Sequence, residues 1–174
     1  TVSFQSSYSD LTWKESPYGS FSDYVIMNPY DAPYDEYGRV NKTMSWEMAN
    51  PLFEAECGNY DEGASRSFTN TLSFRWDVLP GFFINGTGTI VTSRERTEKF
   101  ISPESNEFKD VANRSEQGSL SINNIRRLSY EGKFVVNYAK NLGEDYLLTL
   151  HGGFDISKKT QTMDGYTAYG FYKS

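Results

Sequence analysis

Side chains that could do chemistry are few in this 174-residue chain, and their spacing suits neither catalysis nor metal binding. His151 is the only histidine and Cys57 the only cysteine. Without a second His or Cys nearby, His151 lacks the ligand set of a zinc site and reads as a polar wall residue near Thr149 and Asp155. A lone thiol excludes an internal disulfide framework, and the polar, Gly-containing neighbourhood of Cys57 gives it no redox role. Asp31, Asp35 and Glu36 gather oxygens of the kind calcium takes, but not at EF-hand spacing, so solvated turn carboxylates are the favoured reading. A glycan-cleaving enzyme needs two carboxylates about 5 to 10 Å apart in a cleft, and no pair stands out. Nor is there a Ser/His/Asp set or a phosphate-cradling loop, so neither an enzyme nor a cofactor is expected. A net charge of -6 repels a phosphate backbone and excludes nucleic acid as a partner.

Several charges recur at alternate positions. Arg75 and Asp77, then Glu131 and Lys133, and Asp155 beside His151 each fall two residues from a polar neighbour of the same parity. A strand sends successive side chains to opposite faces, so such spacing places a charged set on one face of a sheet. The other parity is apolar. Over 67–78, Phe68, Leu72, Phe74, Trp76 and Val78 alternate with Ser67, Thr69, Thr71, Ser73, Arg75 and Asp77. Over 146–157, Tyr146, Leu148, Leu150, Phe154 and Ile156 alternate with Thr149, His151, Asp155 and Ser157. Alternation over a dozen residues exceeds an ordinary soluble strand and matches one that crosses roughly 25 Å of hydrocarbon at a tilt. Exceptions exist: Asn70 falls on the apolar face, and Phe83, Val91, Val135 and Leu147 fall on the polar one.

About five strands are expected, joined by short turns near 79–81 and 141–143 and by long connections near 9–66 and 94–127. In each short turn Gly is expected third, supplying a left-handed residue. Closing the first pairs Val78 with Phe82, Trp76 with Ile84, Phe74 with Gly86 and Leu72 with Gly88, so bulky side chains cover the two strand glycines. Trp76, Phe82, Tyr138 and Tyr146 then put a ring at one level beside the short turns, as a membrane-interface girdle does. Arg94, Glu95, Arg96, Glu98 and Lys99 mix both signs and read as a solvated strand extension. The 9–66 connection holds 11 acidic and 4 basic residues and ten aromatics, a density of rings that argues for packing rather than disorder. A mean hydropathy of -0.62 does not oppose a barrel, because only every second residue meets lipid. The sequence opens at Thr1 without a signal peptide, which for an exported protein points to an internal piece of a longer one.

Two blocks carry a family resemblance. Ser16-Pro17-Tyr18-Gly19-Ser20-Phe21-Ser22-Asp23-Tyr24, followed by Met27-Asn28-Pro29-Tyr30-Asp31-Ala32-Pro33-Tyr34-Asp35-Glu36-Tyr37-Gly38, resembles an extracellular loop of the SusC/RagA-like TonB-dependent transporters of Bacteroidetes outer membranes. Leu72-Ser73-Phe74-Arg75-Trp76 with Leu79-Pro80-Gly81 resembles the start of a barrel hairpin in the same family. The resemblance implies a barrel of about 22 strands around a plug, a SusD-like surface lipoprotein as partner, energy relayed by the TonB complex, and an oligosaccharide or peptide as cargo. It carries over no catalytic residues.

The sequence therefore predicts an all-β, antiparallel up-and-down meander forming part of a transmembrane β-barrel in the bacterial outer membrane. Arg75, Asp77, Glu131, Lys133, His151 and Asp155 are expected to face the lumen, and Trp76, Phe82, Tyr138 and Tyr146 the lipid interface. Trp13, Tyr18, Tyr30, Tyr34 and Trp46 are the loop candidates for partner or substrate contact. The alternative is a soluble or surface-attached β-sandwich that binds carbohydrate. It would cover one face of the sheet with a second sheet, whereas a barrel leaves Phe68, Phe74, Trp76, Tyr138 and Leu148 exposed.

Overall fold

A computed structural model describes residues 1–18 and 21–170 of the chain. Gly19 and Ser20 of the first resemblance block lie outside the described residues. The fold is all-β: β1 (Val2–Lys14), β2 (Tyr60–Leu79), β3 (Phe82–Ile101), β4 (Ser119–Leu142) and β5 (Tyr146–Tyr169) form one antiparallel sheet in the order β1-β2-β3-β4-β5. Helix is confined to α1 (Phe21–Val25), α2 (Pro51–Glu56) and short 3-10 turns. Among the described residues, no helix is long and apolar enough to cross a membrane.

The strands are longer than the alternation alone marks. β2 and β3 span 20 residues each, β4 and β5 24 each, so the long connections shrink to 15–59 and 102–118. In the extensions of β2 and β3 both parities are largely polar, as in Glu62 beside Asp61 or Arg94 beside Glu95, so alternation marks no face there. The 94–99 charge run does continue β3, as its mixed signs imply.

Register follows the sequence closely at the first hairpin. Thr71 meets Thr89 at 3.2 Å and Ser73 meets Thr87 at 3.3 Å through their hydroxyls, which fixes Phe74 opposite Gly86. Tyr60 stacks on Phe100 at 5.5 Å in the same register, so the ladder runs without a bulge. Gly81, at φ 79°, makes the tight turn between Leu79 and Phe82. The second short turn is shifted: strand pairing continues to Leu142, and the loop is 143–145 with Gly143, also at φ 79°, first rather than third. Leu142 prolongs the apolar parity and Glu144-Asp145 supply the polar turn, a boundary that composition alone blurred.

Contacts divide the chain into two compact units. Unit 1 comprises Thr1–Leu11, Ser65–Glu95 and Ile125–Met163. Its even-numbered face is a continuous apolar surface. Phe4, Phe68, Leu72, Trp76, Ile90, Tyr130, Phe154 and Ile156 are all exposed on it, and among the described residues no hydrophobic side chain of unit 1 is buried. Rings tile the centre of this face. Phe74 leans across Gly86 to meet Phe134 edge-on at 5.6 Å, and Phe134 stacks on Phe154 at 5.5 Å. A Cβ on Gly86 would overlap the Phe74 ring, whereas Gly88 has open space around it, so the expected cover of the two glycines holds only at Gly86. Gly86→Ala is expected to cost about 1–2 kcal/mol by forcing that ring aside. A thermal midpoint in detergent that is unchanged by Gly86→Ala, or equally lowered with Phe74 already replaced by Ala, would disprove the contact.

Unit 2 comprises Thr12–Ala64, Arg96–Asn124 and Asp164–Ser174, and it holds the buried hydrophobic residues Cys57, Ile101, Phe108 and Ile122. Much of its interior is polar. Asn50, Ser102, Ser105 and Asn106 are buried, where polar groups are costly unless they find partners inside the protein, and of their side-chain groups Asn106 Oδ1 is left without one among the described residues.

Candidate functional site

Glu54 satisfies much of that polar interior. α2 begins with Asn50 as its N-cap, the side chain accepting from the Leu52 N–H, and Pro51 at the first helical turn where no donor is lost. The helix aims the Glu54 carboxylate at 102–118. Oε2 accepts from Asn59 Nδ2 at 2.9 Å and from Ser105 Oγ at 2.6 Å, and Oε1 accepts from the Asn106 backbone N–H at 2.8 Å and from Asn106 Nδ2 at 3.0 Å. Asn50 Nδ2 reaches the carbonyls of Pro33 and Asn41, drawing the acidic part of 15–59 into the same unit. One carboxylate therefore fastens both long connections.

Beside it opens a cavity of about 470 Å³ whose lining includes Tyr18, Tyr60, Phe100, Glu15, Asp61 and Lys99. Tyr60 donates its hydroxyl to Glu98 at 2.8 Å. Burial, then that bond and the charge of Glu98, push the phenol up to about 12, while the Tyr60 hydroxyl and Arg96 hold the Glu98 carboxyl below its ordinary value. The fold favours the neutral phenol. Its contribution to stability is thus complete below about pH 10 and is lost as pH rises towards about 12. The difference in tyrosinate absorbance between the chain and Tyr60→Phe should show one phenol ionising near pH 12. Glu98→Gln should move that step part of the way down, because burial remains. A step already at the ordinary tyrosine pH would contradict the Tyr60–Glu98 bond.

The loop candidates do not converge on this cavity. Tyr18 lines it and is exposed, but Tyr30 is 93% exposed and Trp46 80% exposed elsewhere in 15–59, and Tyr34 sits in an isolated bridge with Val40. Trp46 and Glu47 both take left-handed backbone angles (φ 56° and 57°), a conformation that side chains larger than Gly adopt at a cost. Trp13 is a strand residue rather than a loop residue. It belongs to β1, and its indole fills the space a Cβ on Gly63 would need. The calcium candidates are engaged by the protein itself. Asp31 accepts from the Ser45 N–H and hydroxyl, and Asp35 accepts from the backbone N–H groups of Tyr37 and Arg39 and pairs with the Arg39 guanidinium at 2.7 Å. The Arg39 N–H, more than any other contact, holds the Asp35 carboxyl below its usual range. Among the described residues, no group of three or more His, Cys, Asp or Glu side chains is placed to hold a metal ion.

On the odd-numbered face of unit 1, Arg75 pairs with Asp77 at 3.0 Å and stands over the Phe83 ring at 4.0 Å. Phe83, an apparent defect in the alternation, thus gives a cation its aromatic platform. The pairing was legible in the register, which sets Phe83 opposite Asp77 and diagonal to Arg75. His151 bonds Asn137 at 2.7 Å through Nδ1, not Thr149 or Asp155. That register also places Lys133 opposite Asp155 and Glu131 opposite Ser157, all on the same polar face.

The girdle is a staircase rather than a level ring. Phe82 and Tyr138 touch edge-on at 6.2 Å, Trp76 lies one pair before them, and Tyr146 pairs with Leu142 two pairs beyond. A steady stagger of this kind accompanies strand tilt. Phe68, Trp76 and Leu148 are exposed as expected of a barrel wall. Phe74 and Tyr138 are half-buried because each packs on a neighbouring ring. Compared with known proteins, the chain matches no family model and no curated protein.

Proposed function

We propose that unit 1 is a length of lipid-facing wall of an outer-membrane β-barrel, and that the whole barrel imports an oligomeric nutrient as a TonB-dependent transporter with a SusD-like lipoprotein. The observation that carries the membrane reading is the even-numbered face: five adjacent strands share one apolar surface, and among the described residues no second layer covers it. In water such a surface is a liability, and in hydrocarbon it is at rest. β5 adds support, because its 24 residues are exposed almost throughout and lie at the sheet edge, where a closed barrel supplies another strand. The transport reading rests on the resemblance blocks. The Leu72–Trp76 block lies in β2, and Leu79-Pro80-Gly81 closes its hairpin. Tyr30 and Trp46 are fully displayed for an extracellular partner or cargo.

Cysteine accessibility in intact cells tests both parts. With Cys57 replaced by Ala, single cysteines at Leu72, Phe74 and Trp76 should resist a water-borne maleimide, while those at Thr71, Ser73 and Asp77 should react from the lumen side. Equal reactivity of the two parities, or recovery of the protein in the soluble fraction, would overturn the membrane reading. For transport, Tyr30→Ala with Trp46→Ala should reduce oligosaccharide uptake or lipoprotein co-purification at unchanged outer-membrane level. Normal values of both would remove the loop from the proposal.

A further inference from the structure

The two faces of unit 1 differ in charge as well as in hydropathy. On its odd-numbered strand positions Arg75, Arg127, Lys133 and Lys159 balance Asp77, Glu95, Glu131 and Asp155. The even-numbered positions carry Arg66, Arg94, Arg126, Lys140 and Lys158 against a single acid, Asp10. Three of these five cations, Arg66, Arg94 and Arg126, form one row at an edge of the apolar band next to Phe68 and Leu128, and Lys158 stands opposite Tyr130, two pairs further along. The ladder that pairs Thr71 with Thr89 sets Arg66 opposite Arg94. The β3–β4 ladder, fixed where the Ala139 N–H donates to the Gly81 carbonyl at 2.7 Å, sets Arg94 opposite Arg126.

Three guanidiniums on neighbouring strands repel one another. Arg66 is relieved by Asp10 at 3.1 Å. Among the described residues, Arg94 and Arg126 make no ion pair, and both are exposed. By contrast, their odd-numbered neighbour Arg127 is paired with Glu95 at 2.8 Å. The excess of cations over acids therefore falls on the apolar face, and Arg94 and Arg126 stand at its rim without an ion pair among the described residues. Arginine forks match phosphate oxygens, and a basic row bordering hydrocarbon meets the headgroup layer.

Resting on the lipid-wall reading, the geometry points to Arg94 and Arg126, flanked by Arg66, as a binding surface for the phosphate of an anionic membrane-lipid headgroup. The acyl chains of such a lipid would lie along Phe68, Leu128 and Tyr130 while its phosphate bridges the two unpaired guanidiniums. This assigns the row a partner fixed in the bilayer rather than a solute.

The test uses the whole barrel that contains these strands, inserted into phosphatidylcholine vesicles with or without phosphatidic acid, and native mass spectrometry of the lipid it retains after extraction. Retention should favour phosphatidic acid, and Arg94→Gln with Arg126→Gln should reduce that preference on the order of thirtyfold. Lys133→Gln and Lys159→Gln, on the other face, should leave it unchanged, and free inorganic phosphate should not displace the lipid. Equal preference in the chain and the Arg94/Arg126 variant, or displacement by free phosphate, overturns the inference. Should the glutamine variant fail to fold, Arg94→Lys with Arg126→Lys keeps the charge, and its preference must weaken as salt is raised; a salt-independent preference also overturns it. Failure of the unaltered whole barrel to enter either vesicle defeats the lipid-wall reading itself, whereas entry without headgroup preference defeats this inference alone.

Discussion

Replacing Glu54 with Ala is expected to cost about 3–5 kcal/mol locally and to release 102–118 from its anchorage. The carboxylate receives four hydrogen bonds, from Asn59, Ser105 and two nitrogens of Asn106. Ser105 is 3% exposed and Asn106 8% exposed, so the donors left behind cannot turn to bulk water. Each buried donor without a partner costs on the order of 1–3 kcal/mol. Glu54→Gln keeps the shape but presents one acceptor oxygen and an NH₂ group to a ring of donors, and should fall about midway. Hydrogen exchange at the Ser102 and Asn106 amides, and proteolysis within 102–118, would register the loss. Protection unchanged in Glu54→Ala would show that another group holds these segments. The thermal transition of unit 1 should not move, since none of the four bonds belongs to it.

The second large effect concerns a single step of parity. Leu72 is exposed at the middle of the apolar face, beside the open space at Gly88, and Leu72→Arg is expected to cost about 2–4 kcal/mol in a bilayer. Thr71→Arg, the adjacent residue, places the same charge on the hydrated face and should cost about 1 kcal/mol, through loss of its hydroxyl contact with Thr89. Reversible denaturant unfolding in lipid vesicles gives both values. The difference between the two variants is the informative quantity, because both introduce the same side chain and charge at adjacent positions of one strand. Similar costs would mean that the two faces meet similar surroundings.

Much of unit 1 could be read directly from the chain. Alternation located the central part of each strand, and Pro80-Gly81 fixed a register that the Thr71–Thr89 and Ser73–Thr87 contacts reproduce. Period-two patterning reports a contrast between faces, so it fell silent where the contrast ends, at Glu62 and Arg94, and the strand extensions passed for loop. Unit 2 was far less legible. Glu54 and Asn106 are 52 residues apart, and no local spacing announces that a helix-borne carboxylate will meet a distant backbone N–H. Trp13 shows the same limit in the other direction: its aromatic type invited a role in recognition, but the missing side chain of Gly63 gave it a place to pack.

The unpaired margin of β5 has a consequence for association. At this sheet edge a ladder of 24 residues offers its backbone to any passing chain. Lys158 and Lys159 stand adjacent in the middle of that margin, one on each face, so a second copy docking edge to edge would bring ammonium groups together whichever way it approached. The pair thus guards the open edge against pairing with a copy of itself.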